Sequence, residues 1–401
     1  MRTDVVVCGA GVGGLAAACA LGGLGRNVVL LDKLDAPKPV AKGEVFQPGA
    51  LRILRDWGVA ERLEAAGALR LGELVARTAS GAPQMALDYG TLPVPDSWLL
   101  AHDYPAILAA FTASLPSTVD VRRGVRVDGL VRDGDRVRGV RLADGSTIEA
   151  ALVVAADGIS SRLRKEAGIP VERVEYPHRL VALELFEAPA VEPDFSAYVT
   201  ERGLRLRYPL PGGRVRLYAQ IRPEELRGGA TADWGARLVA DTPALAPLAE
   251  SIEANLHRRQ VLPVSRFLAP KLSLPGLALV GESGHAVHPM AAQGMNSAIA
   301  DAHCLAEVDG DLAEYDRLRR ADLAQIGRTS HNAARMITDL SWAGRTIGRR
   351  ALRHTGANDR LRYTVMHNMS GLGAHPLTPL DRLHQIGVLP DPRARRLPAW
   401  A

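Results

Sequence analysis

Short apolar runs that end in glycine recur along this 401-residue chain. The first, Asp4–Cys8, leads into a glycine-rich turn and then into the alanine-rich stretch Leu15–Leu24. An uninterrupted apolar run of this length predicts a buried strand, and the alanine-rich stretch predicts a helix. A second apolar run, Asn27–Leu31, ends at Asp32 and predicts the next strand. The pattern therefore indicates a strand, turn, helix and strand in succession, as in a parallel sheet.

The turn after the first strand places glycines at positions 9, 11 and 14, and Asp32 follows eighteen residues after the last of them. In this spacing the first glycine permits the tight turn, the second lets a pyrophosphate approach the backbone, and the third lets helix and strand pack closely. An acid at this distance is placed to accept a hydrogen bond from a ribose hydroxyl. The sequence predicts a bound dinucleotide here rather than a purely structural turn.

Two later segments repeat the design. Leu152–Ala156 predicts a buried strand that ends in Asp157-Gly158-Ile159-Ser160-Ser161-Arg162-Leu163-Arg164. The apolar run Leu277–Val280 precedes Gly281–Asp301, which is dense in glycine and alanine and continues into a predicted helix. A crossing from strand to loop to helix aims backbone N–H groups at a ligand.

Taken together, the glycine turn, the Asp157-to-Arg164 element and the Gly281–Asp301 loop resemble the single-component FAD-dependent monooxygenases related to para-hydroxybenzoate hydroxylase. The match runs through about Asp301, while the middle of the chain and its last hundred residues fit loosely. The resemblance implies an α/β fold: a Rossmann-like FAD-binding domain with a parallel sheet and a β-meander, an antiparallel-sheet substrate domain, and C-terminal helices.

The implied division assigns residues 1–75, 100–170 and 271–310 to FAD, residues 76–99 and 171–270 to substrate, and residues 311–401 to a helical region. Alternation around two Asp-Gly pairs predicts a three-stranded meander over residues 121–149. Residues 203–222 alternate on both sides of Pro211-Gly212-Gly213, which predicts an antiparallel hairpin, the floor of the substrate lobe by analogy with the family. Near-helical spacing from Leu312 continues through Arg353.

The resemblance also carries FAD contacts to individual residues. The glycine turn would lie against the pyrophosphate, Glu282 would reach the ribityl chain or pyrophosphate, and Asp157 and Gly158 would serve both FAD and the nicotinamide. The backbone from Gly294 to Asn296 would face the pyrimidine edge of the flavin. The full set is Gly9, Gly11, Gly14, Asp32, Lys42, His102, Asp157, Gly158, Gly281, Glu282, Gly294, Met295 and Asn296.

Three positions depart from the family pattern. Glu282 stands where aspartate is usual, which moves the carboxylate out by one methylene. Ala292 replaces a glycine, which restricts that residue to negative φ or imposes strain. His102 stands where an arginine commonly precedes the helix over residues 103–114, so Lys42 or Arg52 is the candidate substitute for that positive charge.

Candidate catalytic residues are fewer. Pro289 would flank the isoalloxazine. His285 and His288 are candidate proton carriers, against a structural role for His285. Tyr208 and Tyr218, on the predicted hairpin, are candidates to hydrogen-bond or deprotonate a phenolic substrate, against simple packing.

The resemblance implies a monooxygenase that uses NAD(P)H and O2, through a flavin C4a-hydroperoxide, to hydroxylate or epoxidise a medium-sized lipophilic substrate. Few aromatics and many Leu, Val and Ala residues favour an apolar pocket for an aromatic, polyketide or terpenoid molecule. The alternatives are an FAD-dependent reductase of prenyl double bonds and a non-catalytic FAD-binding protein. A flavin halogenase is disfavoured because the five tryptophans are isolated.

Composition supports an enzyme with two lobes, since 47% of residues are hydrophobic. The net charge of +5 and an aromatic content of 4% disfavour nucleic acid as a partner. Arginine clusters at 345–353 and 393–396 favour a solvated helix face over membrane contact. The N-terminus shows no signal-peptide pattern, so a cytoplasmic location is expected. The three cysteines are expected to be buried, no metal site is indicated, and the oligomeric state is left open.

Overall fold

The computed structural model describes residues 1–38, 40–226, 231–398 and 400–401. Its strands are β1 Arg2–Cys8, β2 Val28–Leu31, β3 Val45–Phe46, β4 Leu69–Leu71, β5 Glu73–Thr78, β6 Pro83–Asp88, β7 Leu99–Ala101, β8 Val119–Arg122, β9 Val127–Asp133, β10 Arg136–Leu142, β11 Thr147–Ala155, β12 Val174–Leu185, β13 Phe195–Thr200, β14 Gly203–Leu210, β15 Arg214–Ile221, β16 Gln260–Leu268, β17 Ser273–Leu274, β18 Leu277–Leu279 and β19 His285–Ala286. Its α-helices are α1 Val12–Gly23, α2 Pro48–Asp56, α3 Val59–Ala65, α4 Tyr104–Ala113, α5 Arg162–Glu166, α6 Thr231–Asp241, α7 Ala249–Asn255, α8 Gln293–Glu307, α9 Leu312–Thr338, α10 Trp342–Gly356, α11 Asp359–Ser370 and α12 Pro379–Gln385.

The chain divides into two compact units. The first comprises residues 1–66, 104–174 and 265–327, and the second comprises residues 67–103, 175–264 and 328–401. The three-part division expected from the sequence stays a prediction. Four residues of its substrate domain, 227–230, lie outside the described residues.

The first unit is built on an eight-stranded sheet with the order β17-β18-β11-β1-β2-β8, extended by β10 and β9. Strands β18, β11, β1, β2 and β8 are parallel neighbours. Helix α1 is buried along nearly its whole length, because its small alanine side chains allow close packing. The carboxyl ends of β1, β11 and β18 therefore lie side by side.

The predicted meander is present in β9, β10 and β11, which pair antiparallel in sequence order. Its start was misplaced, because the stretch at β8 pairs in parallel with β2 instead. The run Leu152–Ala155 is the end of β11 rather than a separate strand. A single nine-residue strand thus begins in the meander and ends in the parallel sheet.

The second unit contains six consecutive strands in the order β12-β15-β14-β13-β5-β6. All of these pairs are antiparallel except β13 with β5. The predicted hairpin is β14 and β15, with Leu206 opposite Tyr218. One face of these strands packs against α6, α7 and the intervening turn through a core that includes Leu217, Trp234 and Leu245.

The C-terminal segment is helical, as predicted, but residues 332–353 do not form one helix. Helix α9 ends at Thr338 and α10 begins at Trp342. The Asp339 carboxylate accepts from the Ser341 N–H, and the Ser341 hydroxyl accepts from the Gly344 N–H. These local bonds compete with continued helix and start a new one. The fold class expected from the sequence is confirmed.

Candidate active site

The three turns singled out in the sequence begin at adjacent positions of one sheet. Cys8 at the end of β1 pairs with Ala155, and Ala155 pairs with Leu279 at the end of β18. The Ala156 N–H donates to the Cys8 carbonyl, and the Val280 N–H donates to the Ala155 carbonyl. In an open parallel sheet, ligands bind beyond the carboxyl ends of the strands. The structure therefore brings all three motifs to a single ligand-binding edge.

The three glycines of the first turn face different surroundings. A Cβ on Gly9, whose φ is +107°, would overlap the Ala156 carbonyl oxygen, and a Cβ on Gly14 would overlap that of Gly9. A Cβ on Gly11 would meet only the Tyr104 hydroxyl, at 3.5 Å. Gly9 and Gly14 are thus required by the protein's own packing. A Cβ on Gly11 would make only an ordinary contact, so packing does not require this glycine, and a pyrophosphate that needs close access to the backbone at the start of α1 would explain it.

Asp32 stands at the end of β2 beside this turn. One carboxylate oxygen accepts from the Ala10 N–H at 2.7 Å, and the other accepts from the Leu34 N–H at 2.8 Å. These bonds fix the carboxylate and leave lone pairs for a further donor, since each oxygen accepts more than one hydrogen bond. Its predicted role toward a ribose hydroxyl fits this geometry.

Sequence reasoning missed Tyr104. Its hydroxyl lies against the Val12 N–H at the start of α1, within electrostatic reach of Lys42, Glu282 and Asp32. Burial raises the pKa of this phenol; Lys42 opposes the shift and Glu282 adds to it. The available signal was an aromatic hydroxyl at the first position of a predicted helix, but its role depends on which turn that helix meets.

Lys42 and Glu282 form an ion pair with 2.6 Å between Nζ and Oε2. Burial lowers the pKa of Lys42, but the Glu282 carboxylate outweighs it, so the net shift is upward and the lysine stays charged. The two predicted cofactor residues therefore lie together. Arg52, the other candidate substitute for the missing arginine, is exposed on α2.

The second turn carries a buried oxygen with no partner. Asp157 Oδ2 accepts from the N–H groups of Arg162 and Leu163, at 2.8 and 3.2 Å, whereas Oδ1 is buried and unbonded. Beside it, Gly158 adopts φ +84°, and a Cβ there would meet nothing within 4 Å. An unbonded buried carboxylate oxygen is costly unless a ligand donor completes it.

Arg164 joins the second turn to the third. Its guanidinium is 2% exposed, and Nη1 donates to the Ser283 carbonyl at 2.6 Å. Ser283 in turn donates its hydroxyl to the Ala155 carbonyl at 2.6 Å. These bonds hold the two turns at a fixed separation.

Asp301 fixes the third turn from within. One carboxylate oxygen contacts the Gly281 N–H at 2.9 Å and His285 Nε2 at 2.8 Å, and the other contacts Arg319 Nε at 2.9 Å. Burial alone would raise the pKa of Asp301, but His285 and Arg319 outweigh it and lower the pKa to about 2. The carboxylate thus remains ionised and holds the Gly281-Glu282 turn in place. His285 is committed to this network through Nε2, while its Nδ1 is buried without a partner.

The rest of the third loop ends at helix α8. His288 Nδ1 accepts from the Met290 N–H at 3.1 Å and so caps the short turn that begins at Pro289. Ala292 adopts φ +51°, so the strained alternative anticipated from the sequence is the one found. No side-chain hydrogen bond caps the start of α8 at Ala292, which leaves the Gly294 N–H in the first turn for a ligand.

Met295 and Asn296 tie this helix start to β3. The Asn296 side chain accepts from the Gln47 N–H at 2.8 Å and donates to the Val45 carbonyl at 3.1 Å. A Cβ on Gly43 would lie 3.1 Å from the Met295 side chain, which explains the glycine there. Both side chains position the loop, and the backbone is what remains for a ligand.

His102 belongs to the second unit. It is buried, and its Nδ1 accepts from the Asp103 N–H at 2.8 Å. Its predicted place beside the FAD phosphates stays a prediction.

Tyr208 and Tyr218 lie on the sheet face opposite the helical core of the second unit. Both are buried, their ring centres are 6.5 Å apart, and Phe195 stacks on Tyr208 at 5.0 Å. The Tyr208 and Tyr218 rings are tilted by 34°, so the three side chains form an aromatic cluster on this face.

Two groups of charged side chains in this second unit are paired within it. Arg207, 1% exposed, donates to Asp194 at 3.0 Å and to Ser196 at 2.8 Å, and Arg77 takes the other Asp194 oxygen at 2.5 Å. The Arg214 guanidinium contacts Asp103 and Glu184 at 2.6 and 2.7 Å.

These features test whether an FAD fits the first unit. The unclashed position at Gly11 suits a pyrophosphate, the uncapped start of α8 suits the flavin, and the fixed Asp32 carboxylate suits a ribose hydroxyl. The unbonded Asp157 oxygen suits a further ligand donor. Among the described residues, no group of three or more His, Cys, Asp or Glu side chains is arranged to hold a metal ion. The fold and site define a flavin-nucleotide-binding protein.

Comparison with known proteins agrees. The family described as FAD binding domain matches residues 2–314. The 6-methylpretetramide 4-monooxygenase of Streptomyces rimosus is 30% identical over 344 residues, covering 81% of this chain and 78% of that protein. The ubiquinone hydroxylase of Rhodospirillum rubrum is 29% identical over 355 residues, covering 80% and 78%. Among solved structures, p-nitrophenol 4-monooxygenase from Pseudomonas putida has the same fold, with a TM-score of 0.76, 21% identity and coverage of 96% and 98%.

The chain belongs to the FAD-binding domain family and, within it, to the FAD-dependent monooxygenases related to para-hydroxybenzoate hydroxylase. It is an oxidoreductase with FAD as its cofactor. The family expected from the sequence is confirmed, and a non-catalytic role is set aside.

Proposed function

We propose that this enzyme uses NAD(P)H and O2 to hydroxylate a lipophilic, electron-rich aromatic molecule. NAD(P)H, a proton, O2 and the substrate give NAD(P)+, water and a product with one added oxygen atom. The observation that carries the proposal is the meeting of the three turns at one sheet edge, with polar groups left for a flavin nucleotide. The relatives named for 6-methylpretetramide and ubiquinone are 30% and 29% identical, against 26% to 27% for those named for squalene, which favours an aromatic substrate over a terpenoid.

When bound, FAD would supply the redox chemistry that links NAD(P)H oxidation to O2. The start of α1 at Gly11 would hold the pyrophosphate, and Asp32 would hold the adenosine ribose. Lys42 would supply positive charge beside Glu282, which would orient the ribityl chain. The Asp157 oxygen without a partner would accept a ligand hydroxyl, and the uncapped start of α8 would donate to the flavin.

We assign the aromatic substrate to the face that carries Tyr208 and Tyr218. Stacking against these rings orients a planar substrate, and a phenol at either position can hold or take a proton from a substrate hydroxyl. Pro289 begins the turn that flanks the flavin. His285 and His288 serve as positioning residues, because each already bonds inside the loop.

The test is turnover by the FAD-loaded enzyme with a panel of phenols, quinols and polyenes under labelled O2. The proposal expects NAD(P)H and O2 consumption in equal amounts with a phenol or quinol, and one labelled oxygen atom in the product. Reduction of a polyene without O2 would instead identify a prenyl reductase. Labelled epoxide formed only from polyenes would overturn the aromatic substrate class while leaving the monooxygenase in place.

Two matched variants test the substrate face. Tyr208→Phe is expected to lower kcat/KM about tenfold or more and to change its pH profile, because it removes a proton-handling hydroxyl. Tyr198→Phe alters the opposite, helix-covered face of the same sheet and is expected to leave turnover unchanged. Equal effects of the two substitutions would contradict the assignment.

A further inference from the structure

Positive charge is concentrated at the end of the described chain. Residues 342–401 contain ten arginines and three aspartates, a net charge of +7 in a chain whose total is +5. The remainder of the protein therefore carries −2. An asymmetry of this kind indicates attraction to an anionic surface or polymer.

The same segment exposes large apolar side chains. Trp342 is 78% exposed, the highest value for a large hydrophobic residue in the described part of the chain. Ile347, Val388 and Leu389 are 49%, 58% and 42% exposed. Exposed apolar groups of this size that lie near one another commonly mark an interaction site.

Helix α10 brings the two properties together. Its inner side is buried through Gly348, Ala351 and Leu352, and its outer side carries Arg349 and Arg353. Glu201 pairs with Arg345 and Arg349, which neutralises one of the charges along this helix.

The loop after α12 lies beside α10. Arg350 donates to the carbonyls of Ile386 and Gly387 at 3.0 and 3.2 Å, and Gly387 packs against the His354 ring. Val388 and Leu389 follow directly, so they flank the helix that carries Trp342 and Ile347. We call these four apolar residues, with Arg349 and Arg353, the α10 patch.

We propose that the α10 patch docks on the surface of an anionic lipid bilayer. Interfacial helices combine arginine with exposed tryptophan and aliphatic side chains, and tryptophan favours the boundary between headgroups and acyl chains. None of the helices in the described residues has the length and hydropathy to cross a bilayer, so the contact is peripheral. A nucleic acid would satisfy the arginines but leave Val388 and Leu389 in water. A second copy of this chain docked on the same patch would place two segments of net charge +7 against each other, and they would repel.

Vesicle flotation of the full-length, FAD-loaded protein tests this surface without any turnover. The proposal expects partition onto vesicles of phosphatidylcholine with about 30% phosphatidylglycerol to exceed partition onto phosphatidylcholine alone by about tenfold or more, and to weaken at high salt. Arg349→Gln with Arg353→Gln is expected to weaken binding about tenfold, at roughly fivefold per charge less the share that Glu201 neutralises.

The apolar half of the patch has its own variant. Trp342→Ser with Val388→Ser is expected to weaken binding about tenfold or more at every salt concentration, because apolar burial is not screened. Leu24→Ser, at an exposed apolar residue of the first unit, and Arg138→Gln, at an exposed arginine of the meander, are the matched controls and should bind as the parent does. Unchanged flavin absorbance and melting temperature would show that each variant is folded.

Absence of binding to anionic vesicles at low salt would overturn the proposal. So would equal losses in the patch variants and the controls, binding to duplex DNA in place of vesicles, or a dimer that the Trp342 variant dissociates. Because no substrate is used, failure here leaves the proposed reaction untouched.

Discussion

The parallel sheet edge of the first unit and the antiparallel sheet of the second differ in how their buried polar groups are bonded. At the edge, a buried Asp157 oxygen has no partner and helix α8 starts without a cap. In the second sheet, the buried Arg207 guanidinium donates to Asp194 and Ser196, although its Nε has no partner. The Asp157 oxygen is left for a ligand, whereas the charge of Arg207 is neutralised within the protein.

The difference separates residues that serve binding from residues that serve folding. A glycine or carboxylate at the edge can be essential to FAD and of little consequence to stability. A charged residue inside the second sheet is essential to stability even where no ligand touches it. Substitutions chosen in matched pairs distinguish the two.

The largest effect is expected at a motif glycine that the protein's own packing requires. Gly14→Ala places a methyl group against the Gly9 carbonyl and is expected to lower the free energy of unfolding by about 4 kcal/mol or more. Gly23→Ala, in the same helix, meets nothing within 4 Å and should raise stability by about 0.5 kcal/mol or more through helix propensity. Urea unfolding measures both, and equal midpoints would refute the packing explanation.

Breaking the internal charge pairing of the second sheet comes next. Asp194→Asn removes the buried carboxylate that Arg207 and Arg77 share, which leaves Arg207 only the exposed Glu192 carboxylate, and is expected to cost about 3 kcal/mol. Glu192 also contacts Arg207, at 2.9 Å, but its side chain is 68% exposed, so Glu192→Gln should cost about 1 kcal/mol or less. Similar melting temperatures for the two variants would show that the buried Asp194 carboxylate contributes no more to stability than the exposed Glu192 carboxylate.

A pH dependence is expected from His178 in the second unit. Burial lowers its pKa from 6.5 to about 4, so the unfolded chain takes up a proton before the folded one does. The stability linked to this histidine is complete above about pH 6.5 and is lost as pH falls toward 4, by at most about 3 kcal/mol. His178→Asn should flatten the curve of melting temperature against pH in that window. His257→Asn, at an exposed histidine, is the control. If melting temperature changes with pH in the His178 variant as it does in the parent, His178 is not the cause of the pH dependence.

The smallest effect is expected at the strained residue of the third turn. Ala292 adopts φ +51°, which costs an alanine about 1 kcal/mol and a glycine little. Ala292→Gly is expected to stabilise the protein by about 0.5 kcal/mol, whereas Ala300→Gly, inside α8, should destabilise it by about 1 kcal/mol. Calorimetry on both variants checks the sign, and destabilisation by Ala292→Gly would mean that the turn is not strained.

The sequence predicted correctly those strands, turns and helices whose patterns lie within a few consecutive residues. Glycines 9, 11 and 14 lie within six residues, and the strand before them and the helix after them are continuous in sequence. It missed Tyr104, because α4 packs against α1 through contacts between residues far apart in the sequence, which no local pattern indicates. It also gave no account of the buried Arg207, whose partners come from β13 and from the segment just before it. The break at Ser341 escaped notice because apolar spacing continues across it.

The central claim is that three turns of the first unit hold one FAD, and titration of FAD into the deflavinated protein tests it most directly. The parent is expected to bind one FAD per chain. Gly11→Ala should bind at least about tenfold more weakly, because its methyl group occupies the space left for the pyrophosphate, while unfolding at the same urea concentration without FAD. A parent that binds no FAD, or a Gly11 variant that binds it as tightly as the parent, would contradict the account.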